Sequence, residues 1–545
     1  MGNMSEKPEV RVFEDNTKMW SHTFETFKVK VYVPHSELPE KIMNYGYEAP
    51  YLLVFEEDEL DEEAAKRFAT EKGLADIAAN YASSVVFVYP TCDGGWKNAD
   101  VELYRELIAN SKIHEYHEDG YAILINRFTK ECDGYAIRGA IFRAILFGKG
   151  ESAGYIAKNL LRTVNGEGLW GPADIIPAAC ILEGLNECPD IKRKDMPIVS
   201  IANSDEINEY IMEAVDDCYI CPNEEYGVIF TEFLKDIMRW GWVGSLVDSP
   251  DFDELEMTRE VGIVNVNTSS DNLGDDANTS KHDIGYFAFY NNDLFDNGPV
   301  PLVMAFHGGG DSAMHIAMVS EWYRVAMNNN FLLVCVENHL NSTATEMMEL
   351  LEHLCERYAI DRSRIYASGF SMGGQKTWDL YQEYPKVFAG LAPMDATFDV
   401  GNNIYDKPAP CEINRDVRVP IFYTGGEKTP LPELPFQAQK CIDRMKYVFE
   451  VNKVVKEYDV QLENKDNWEN KIWGIDGDRT EQFYDDEKKG TLTLHYFDSE
   501  DNNCYSVFGS ISGQGHDCRY HTCEYAWQFL SQFRRGADGE LVKED

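Results

Sequence analysis

The sequence predicts an α/β protein with two domains, each built on a mainly parallel sheet that is flanked by helices. Three observations lead to this prediction. Short, continuously apolar runs recur along the chain, as expected for strands that are buried on both faces. Helical stretches alternate with these runs, and the alternation begins again after a polar linker. The chain has 545 residues, which is too long for one ordinary hydrophobic core.

Residues 1–250 are predicted to form the first domain. Its helices and strands alternate, and one apolar run leads into Gly150-Glu151-Ser152-Ala153-Gly154, which fits the pattern G-x-S-x-G. A helix is predicted to follow this pattern, so Ser152 is predicted to lie on a turn between a strand and a helix, which is the context of a nucleophile elbow. The predicted elements are strands within residues 10–33, at 51–55, 85–89, 140–147 and 197–202, and helices at 62–81 and 155–163.

Residues 249–255, which are polar and acidic and contain a proline, are the predicted linker, and residues 256–545 form the second predicted domain. The alternation of strands and helices is repeated there. The predicted elements are a leading strand pair at 261–266 and 285–290, strands at 300–306, 331–336, 365–367, 419–425 and 491–497, and helices at 345–358 and 375–384.

The central motif of the second domain is Gly369-Phe370-Ser371-Met372-Gly373, a second match to G-x-S-x-G. It lies between a predicted strand and a predicted helix, which is the context of a nucleophile elbow. Glycines on both sides allow a sharp turn because they carry no Cβ. The motif therefore predicts that the hydroxyl of Ser371 is a nucleophile.

A serine hydroxyl needs a base to take its proton and donors to stabilise the oxyanion that its attack creates. His516, which follows the last predicted strand, is the predicted base, and His521 is the alternative. His307-Gly308-Gly309-Gly310 directly follows a buried strand and matches the HGGG-type oxyanion element. The predicted oxyanion hole comprises His307, Gly308, Gly309 and the backbone N–H of Met372.

The acid that orients the histidine is the least defined part of the predicted site. In chain order it should follow the strand that ends near Gly425, and Glu427 is the first acidic residue there. Glu433 is an alternative in the same loop. Asp395, which follows the preceding apolar run, is a third and poorer choice. The predicted catalytic residues are therefore Ser371, His516 and Glu427.

These motifs, in this order, resemble the α/β-hydrolase superfamily and, within it, the polyhydroxybutyrate-depolymerase and feruloyl-esterase-like serine esterases. The resemblance covers residues 256–545. It implies a Ser–His–acid triad, an acyl-enzyme intermediate, cleavage of carboxylic esters and no cofactor. One departure is that Thr424-Gly425-Gly426-Glu427 stands where that group has H-G-x-x-D. A serine peptidase of the prolyl-oligopeptidase type, and a binding or scaffold protein that kept only the fold, are the alternative interpretations.

The first domain is interpreted as a degenerate, non-catalytic copy of the second, so that the chain carries tandem α/β-hydrolase-like domains. Its first buried strand runs into Glu56-Glu57-Asp58-Glu59, where the second domain has HGGG. Carboxylates at this place would repel an oxyanion. No histidine lies between His117 and His282, so the first domain has no base after its own later strands.

The composition limits the partners and the compartment. A net charge of −44 argues against nucleic acid and anionic membrane surfaces as partners. The predicted substrate is a small-molecule or polymer-borne ester, and the sequence leaves a homo-oligomer open. The first ten residues lack the apolar core of a signal peptide, and 13 scattered cysteines suit a reducing compartment, so the expected location is cytoplasmic. Cys218-x-x-Cys221 and His114-x-x-His117 are isolated pairs, and no metal site is predicted from them.

Overall fold

A computed structural model of the chain describes most of residues 9–544. The segments outside the described residues are 35–49, 81–82, 111–142, 169–170, 195, 216, 223–224, 235–241, 244–249, 268–280, 310, 338, 340–341, 397–413, 430–445, 458–475, 487–489 and 519–521. The predicted alternatives Glu433 and His521, and the pair His114 and His117, fall in these segments. The chain divides into two compact units, the first comprising residues 1–249 with 310–312 and the second residues 250–309 with 313–545.

The first unit is built on a mainly parallel sheet with helices between its strands. Its strands are β1 (Arg11–Val12), β2 (Lys18–Thr23), β3 (Phe27–Val33), β4 (Tyr51–Phe55), β5 (Val85–Pro90), β6 (Ala144–Lys149), β7 (Asn165–Gly168), β8 (Gly171–Asp174), β9 (Ala179–Glu183), β10 (Ile198–Ile201), β11 (Cys218–Cys221) and β12 (Trp242–Val243). Its helices are α1 (Glu62–Glu71), α2 (Leu74–Asn80), α3 (Val101–Asn110), α4 (Glu151–Asn159), α5 (Asp205–Ala214) and α6 (Tyr226–Ile229). Nine strands form the main sheet in the order β1-β2-β3-β5-β4-β6-β9-β10-β11.

The apolar runs of the first unit form its central strands. Every residue of β4 is buried, and so is every residue of β5 except the last. The single helix predicted at 62–81 is two helices, α1 and α2, because Gly73 between them adopts a φ of 75°. A left-handed residue of this kind ends a helix, and glycine adopts it at little steric cost.

The second unit repeats this architecture. Its strands are β13 (Met257–Asn267), β14 (Lys281–Asn291), β15 (Val300–Phe306), β16 (Leu332–Val336), β17 (Ile360–Phe370), β18 (Gly390–Met394), β19 (Ile421–Gly426), β20 (Arg479–Asp485), β21 (Gly490–Asp498), β22 (Cys504–Ile511), β23 (Phe533–Arg535) and β24 (Leu541–Lys543). Its helices are α7 (Ala313–Val319), α8 (Trp322–Asn329), α9 (Ala344–Arg357), α10 (Met372–Glu383) and α11 (Thr522–Leu530). Ten strands form its main sheet in the order β13-β14-β16-β15-β17-β18-β19-β22-β21-β20.

The two main sheets share one topology. Without the edge strands β1, β20 and β21, eight strands remain in each sheet, and their spatial order relative to their chain order is the same. In both sheets the first two strands are antiparallel, the second is antiparallel to its other neighbour, and all later pairs are parallel. The predicted fold class, tandem α/β-hydrolase-like domains with mainly parallel sheets, is confirmed.

The topology places the motif loops of each unit together. The connections that leave the carboxyl ends of β15, β17, β18 and β22 lie at the same edge of the second sheet, because these strands are parallel. In open α/β sheets this edge is where ligands bind. The corresponding edge of the first sheet lies at the ends of β4, β6 and β9.

Among the described residues, the helices are all too short or too polar to pass through a bilayer. Cys218 and Cys221 are the first and last residues of β11, which is paired with β10, and both are free thiols. Within the same described part of the chain, no three His, Cys, Asp or Glu side chains are grouped so that they could hold a metal ion.

Candidate active site

Ser371 lies at the tip of the turn between β17 and α10. Its backbone has a φ of 54° and a ψ of −115°, a region that costs free energy for any residue with a Cβ. Gly369 and Gly373 make the turn sterically feasible. A Cβ on Gly369 would lie 2.2 Å from the carbonyl oxygen of Gly373, and a Cβ on Gly373 would lie 2.1 Å from that of Phe306. The two glycines of the motif are therefore required by close backbone packing.

His516 meets Ser371 from the loop that follows β22. Its Nε2 lies 2.8 Å from the Oγ of Ser371, which is hydrogen-bond distance for transfer of the serine proton. The ring also packs on the ring of Phe370, with centroids 4.7 Å apart. The structure thus brings together the serine and the histidine that were selected from the sequence.

The carboxylate that faces the other side of the imidazole belongs to Asp395. Its Oδ2 lies 3.9 Å from the Nδ1 of His516, and its side chain is 1% exposed. Asp395 directly follows β18, where it adopts a φ of 50°. Two backbone N–H groups hold the carboxylate, from Gly426 at 2.9 Å and from Asp517 at 3.2 Å.

Glu427 does not contact His516. Its carboxylate accepts a hydrogen bond from the backbone N–H of Gly513 at 3.1 Å, on a more exposed part of the loop. Glu427 directly follows β19. The structure thus places the carboxylate of Asp395, the third choice from the sequence, and not that of Glu427, beside the imidazole of His516.

Burial shifts the pKa values of both members of the His516–Asp395 pair. It lowers the pKa of His516 to about 4 and raises the pKa of Asp395 to about 8. The N–H groups of Gly426 and Asp517 oppose the shift at Asp395, because they stabilise the carboxylate anion. The imidazole is thus held in its neutral form at pH 7, and that form is the one that can accept a proton.

The glycine-rich loop after β15 lies against the elbow. A Cβ on Gly308 would lie 3.6 Å from the Cβ of Ser371, and a Cβ on Gly309 would lie 2.0 Å from the Sδ of Met372. Met372 is the first residue of α10, and the N–H groups of the first turn of a helix bond to partners outside the helix. Backbone amides of the loop and the elbow consequently approach the space beside the serine hydroxyl.

His307 is fully buried, and its ring supports this loop. Its Nε2 lies 2.8 Å from the carbonyl oxygen of Glu337, and its Nδ1 lies 2.6 Å from that of Gly308. The Nε2 side of its imidazole is directed toward Glu337, the residue that follows β16. Any oxyanion contact of His307 would therefore come from its backbone, while its side chain holds the loop in place.

The turn of the first unit that corresponds to Ser371 has Gly150 at its tip. Gly150 has a φ of 56° and a ψ of −117°, nearly the values of Ser371. The assignment of Ser152 to this tip is wrong, because the strand before the turn ends at Lys149 and Ser152 lies inside α4. The hydroxyl of Ser152 is fully buried, donates a hydrogen bond to the carbonyl of Phe55 and accepts one from the N–H of Lys149.

A carboxylate fills the space beside this first-unit turn. The Oε1 of Glu57 accepts a hydrogen bond of 2.8 Å from the N–H of Glu151. Glu151 follows the tip residue of the first unit, just as Met372 follows Ser371 in the second unit. A Cβ on Gly150 would lie 2.1 Å from the same oxygen. Gly184 occupies the place of Asp395. Gly184 follows β9 and donates its N–H to a carbonyl of β10, and Asp395 follows β18 and donates its N–H to a carbonyl of β19.

Comparisons with known proteins point to esterases. No protein-family profile matches the chain. Over 242 residues, or 43% of its length, the chain is 21% identical to the bifunctional acetylxylan esterase/xylanase XynS20E of Neocallimastix patriciarum, and the match spans 31% of that relative. The chain thus matches about a third of the length of this curated relative.

Two solved structures illustrate the structural similarity. The acetyl xylan esterase from Aspergillus awamori is 12% identical, with 50% of this chain and 99% of that chain covered and a TM-score of 0.32. The S-formylglutathione hydrolase from Agrobacterium tumefaciens is 12% identical, with 53% and 98% covered and a TM-score of 0.31. The sequence match to an acetylxylan esterase/xylanase agrees with the resemblance to serine esterases that the motifs indicate.

Proposed function

We propose that the second unit hydrolyses carboxylic esters by means of a serine nucleophile. The observation that carries this proposal is the 2.8 Å contact between the Nε2 of His516 and the Oγ of Ser371. A serine held in a strained turn, with a buried neutral imidazole against its hydroxyl, is the arrangement that activates such a nucleophile.

The proposed reaction has two halves. The Oγ of Ser371 attacks the ester carbonyl while His516 takes the hydroxyl proton, and backbone N–H groups of Gly308, Gly309 and Met372 stabilise the oxyanion. Collapse of the tetrahedral intermediate breaks the ester bond, and His516 gives the proton to the departing alcohol. Water then attacks the acyl-serine with the same base, which releases the carboxylic acid and restores Ser371.

We assign the orienting role to Asp395 in place of Glu427. The support is its position 3.9 Å from the Nδ1 of His516 and its two backbone N–H donors. A carboxylate at that side holds the Nδ1–H tautomer and stabilises the imidazolium that forms during the attack. The distance leaves room for the pair to draw together when the imidazole becomes charged.

Acetyl esters borne on a carbohydrate are the first substrate class to test. This choice rests on the sequence match to an acetylxylan esterase/xylanase. Feruloyl and hydroxybutyrate esters follow from the narrower resemblance seen in the motifs. We propose in addition that the first unit has no ester-hydrolysing site, because Gly150 replaces the nucleophile and Glu57 engages the adjacent amide.

The test is a panel of acetyl, butyryl, feruloyl and hydroxybutyrate esters, with aminoacyl amides for comparison, assayed with the parent and with Ser371→Ala. The parent should hydrolyse at least one ester faster than any amide. Ser371→Ala should lose that activity by roughly 10⁴-fold or more. Ser152→Ala is the control and should keep it. Turnover of amides alone would favour the peptidase, and activity of Ser371→Ala within tenfold of the parent would overturn the proposal.

A further inference from the structure

The glycine-rich loop after β15 is tied at both ends to one residue, Glu337. Between His307 and the start of α7 at Ala313, the structure describes every residue except Gly310. At its first end, the Nε2 of His307 faces the carbonyl oxygen of Glu337 at 2.8 Å. At its second end, the N–H of Ala313 donates to the carboxylate Oε2 of Glu337 at 2.7 Å. A single residue that directly follows the neighbouring strand therefore contacts both ends of the loop.

Glu337 is itself held in place. It directly follows β16, and its own N–H donates to the carbonyl of Gly285 in β14 at 2.8 Å. It is 7% exposed. A buried carboxylate costs free energy unless hydrogen bonds compensate for the lost water, and hydrogen bonds to a charged group are the strong ones. Its side chain is consequently expected to keep one position.

The same place in the first unit also carries a side chain that reaches its loop. In the first unit Val88 pairs with Phe55, the last residue of β4, and Tyr89 follows Val88. In the second unit Val336 pairs with the last residue of β15, and Glu337 follows Val336. The hydroxyl of Tyr89 accepts a hydrogen bond from the N–H of Leu60, in the connection that follows β4, at 3.3 Å. Support of this connection from the next strand is thus common to both units, and only the second unit uses a carboxylate for it.

We infer that Glu337 is a positioning residue that sets the distance between the oxyanion donors of the loop and Ser371. The inference rests on the proposed esterase function. Oxyanion donors act only when they lie about 2.7–3.1 Å from the developing charge. A loop released at Ala313 would let Gly308 and Gly309 move away from the elbow, and small displacements of this kind cost large factors in rate.

Three substitutions separate the reach of the side chain from its charge. Glu337→Gln keeps an oxygen at the same distance, Glu337→Asp keeps the charge but is one methylene shorter, and Glu337→Ala removes both. Because Ala313 needs an acceptor within reach, Gln should keep kcat within about fivefold, whereas Ala and Asp should lower kcat about ten- to a hundredfold with little change in KM. The Gln variant also covers the case in which Ala does not fold.

Glu346 provides a matched control. Its buried carboxylate accepts the N–H of Thr343 at 2.7 Å at the start of α9, which is the same kind of bond away from the loop. Glu346→Ala should lower Tm by a similar amount as Glu337→Ala and leave kcat within about threefold. An equal loss of kcat in the two variants would mean that the effect follows general stability, and it would overturn the positioning role.

Amide hydrogen exchange gives a readout that does not need turnover. In Glu337→Ala, peptides covering residues 306–313 should exchange at least about tenfold faster than in the parent, while peptides covering residues 365–374 should not change. If the parent hydrolyses no ester of the panel, the proposed function fails and this exchange result still decides the role of Glu337. Unchanged exchange, or kcat of both Glu337→Ala and Glu337→Asp within twofold of the parent, would overturn the inference.

Discussion

The turns at Gly150 and Ser371 have almost the same backbone and different chemistry. Their φ and ψ values agree within a few degrees, 56° and −117° against 54° and −115°. In each turn the N–H of the tip residue donates to the carbonyl at the end of the next strand, at 2.8 Å and 2.9 Å. The fold therefore preserves the elbow whether or not a nucleophile stands on it, and the function depends on a few side chains placed there.

Three positions distinguish the two units. The nucleophile position holds Ser371 or Gly150, and the acid position holds Asp395 or Gly184. The loop after β15 places Gly308 beside the turn of the second unit, whereas the loop after β4 places the carboxylate of Glu57 beside the turn of the first unit. Glycine suits both tip positions of the first unit because each has a positive φ, which glycine adopts without strain. At these two positions the second unit has Ser371 and Asp395, which keep a side chain at positive φ, and we expect both side chains to be needed for function.

The largest expected difference concerns the acid position. Asp395→Asn should lower kcat/KM for the best ester by about 10³- to 10⁴-fold, because the amide cannot hold the imidazole tautomer or stabilise the imidazolium. Glu427→Gln should stay within about tenfold, because an amide oxygen can still accept the N–H of Gly513. Steady-state kinetics on both variants, with thermal unfolding to verify folding, make the comparison. A larger loss for Glu427→Gln would restore the original assignment.

The pH dependence should separate the same two carboxylates. Burial lowers the pKa of His516 to about 4 and raises the pKa of Asp395 to about 8, which would leave Asp395 protonated at pH 7. The proposed mechanism requires an ionised Asp395, and an anion 3.9 Å from the imidazole raises the pKa of His516 in turn. The base must be unprotonated to act, so activity is lost as pH falls through the pKa of His516. The acid limb of kcat/KM should therefore lie at lower pH in Asp395→Asn than in the parent. Glu427→Gln should not move it. Coincident limbs in the parent and Asp395→Asn would contradict an ionised Asp395 as the partner.

The smallest expected effect concerns the empty turn of the first unit. Gly150→Ala places a Cβ at positive φ and 2.1 Å from the Oε1 of Glu57, so it should cost about 1–3 kcal/mol of stability in that unit. Ester turnover should not change. Thermal unfolding gives the stability, and the ester assay on the same sample gives the turnover. A loss of turnover with the second unit still folded would show that the first unit takes part in the reaction.

The fold and much of the site follow from sequence patterns, because they depend on local order. Apolar runs mark the central strands, and the motif glycines mark the one turn that admits Ser371. The acid did not follow, because its identity depends on which loop turns back toward His516. That direction is set by the N–H groups of Gly426 and Asp517, which are 31 and 122 residues from Asp395 in the chain. The position of Asp395 immediately after β18 was the available signal.

The error at Ser152 has a different origin. The pattern G-x-S-x-G places its serine two residues after the true tip of the turn. The strand β6 ends at Lys149, so Gly150 is the residue that takes the positive φ. The motif at the true register is Gly148-Lys149-Gly150-Glu151-Ser152, which has glycine at the tip. A Cβ on Gly148 would lie 3.0 Å from the backbone of Ala153, the same kind of close approach that Gly369 makes. Strand ends decide such a register, and a pattern match alone does not.

The central claim is that the chain has one activated serine and that it is Ser371. A fluorophosphonate reacts only with a serine that has both a base and stabilisation for the charged adduct. Intact mass after saturating probe should show one adduct per chain, on the peptide that contains Ser371. Ser371→Ala should show none, and Ser152→Ala should label as the parent does. Two adducts, or a single adduct on Ser152, would contradict the account, because the first unit would then hold a working site.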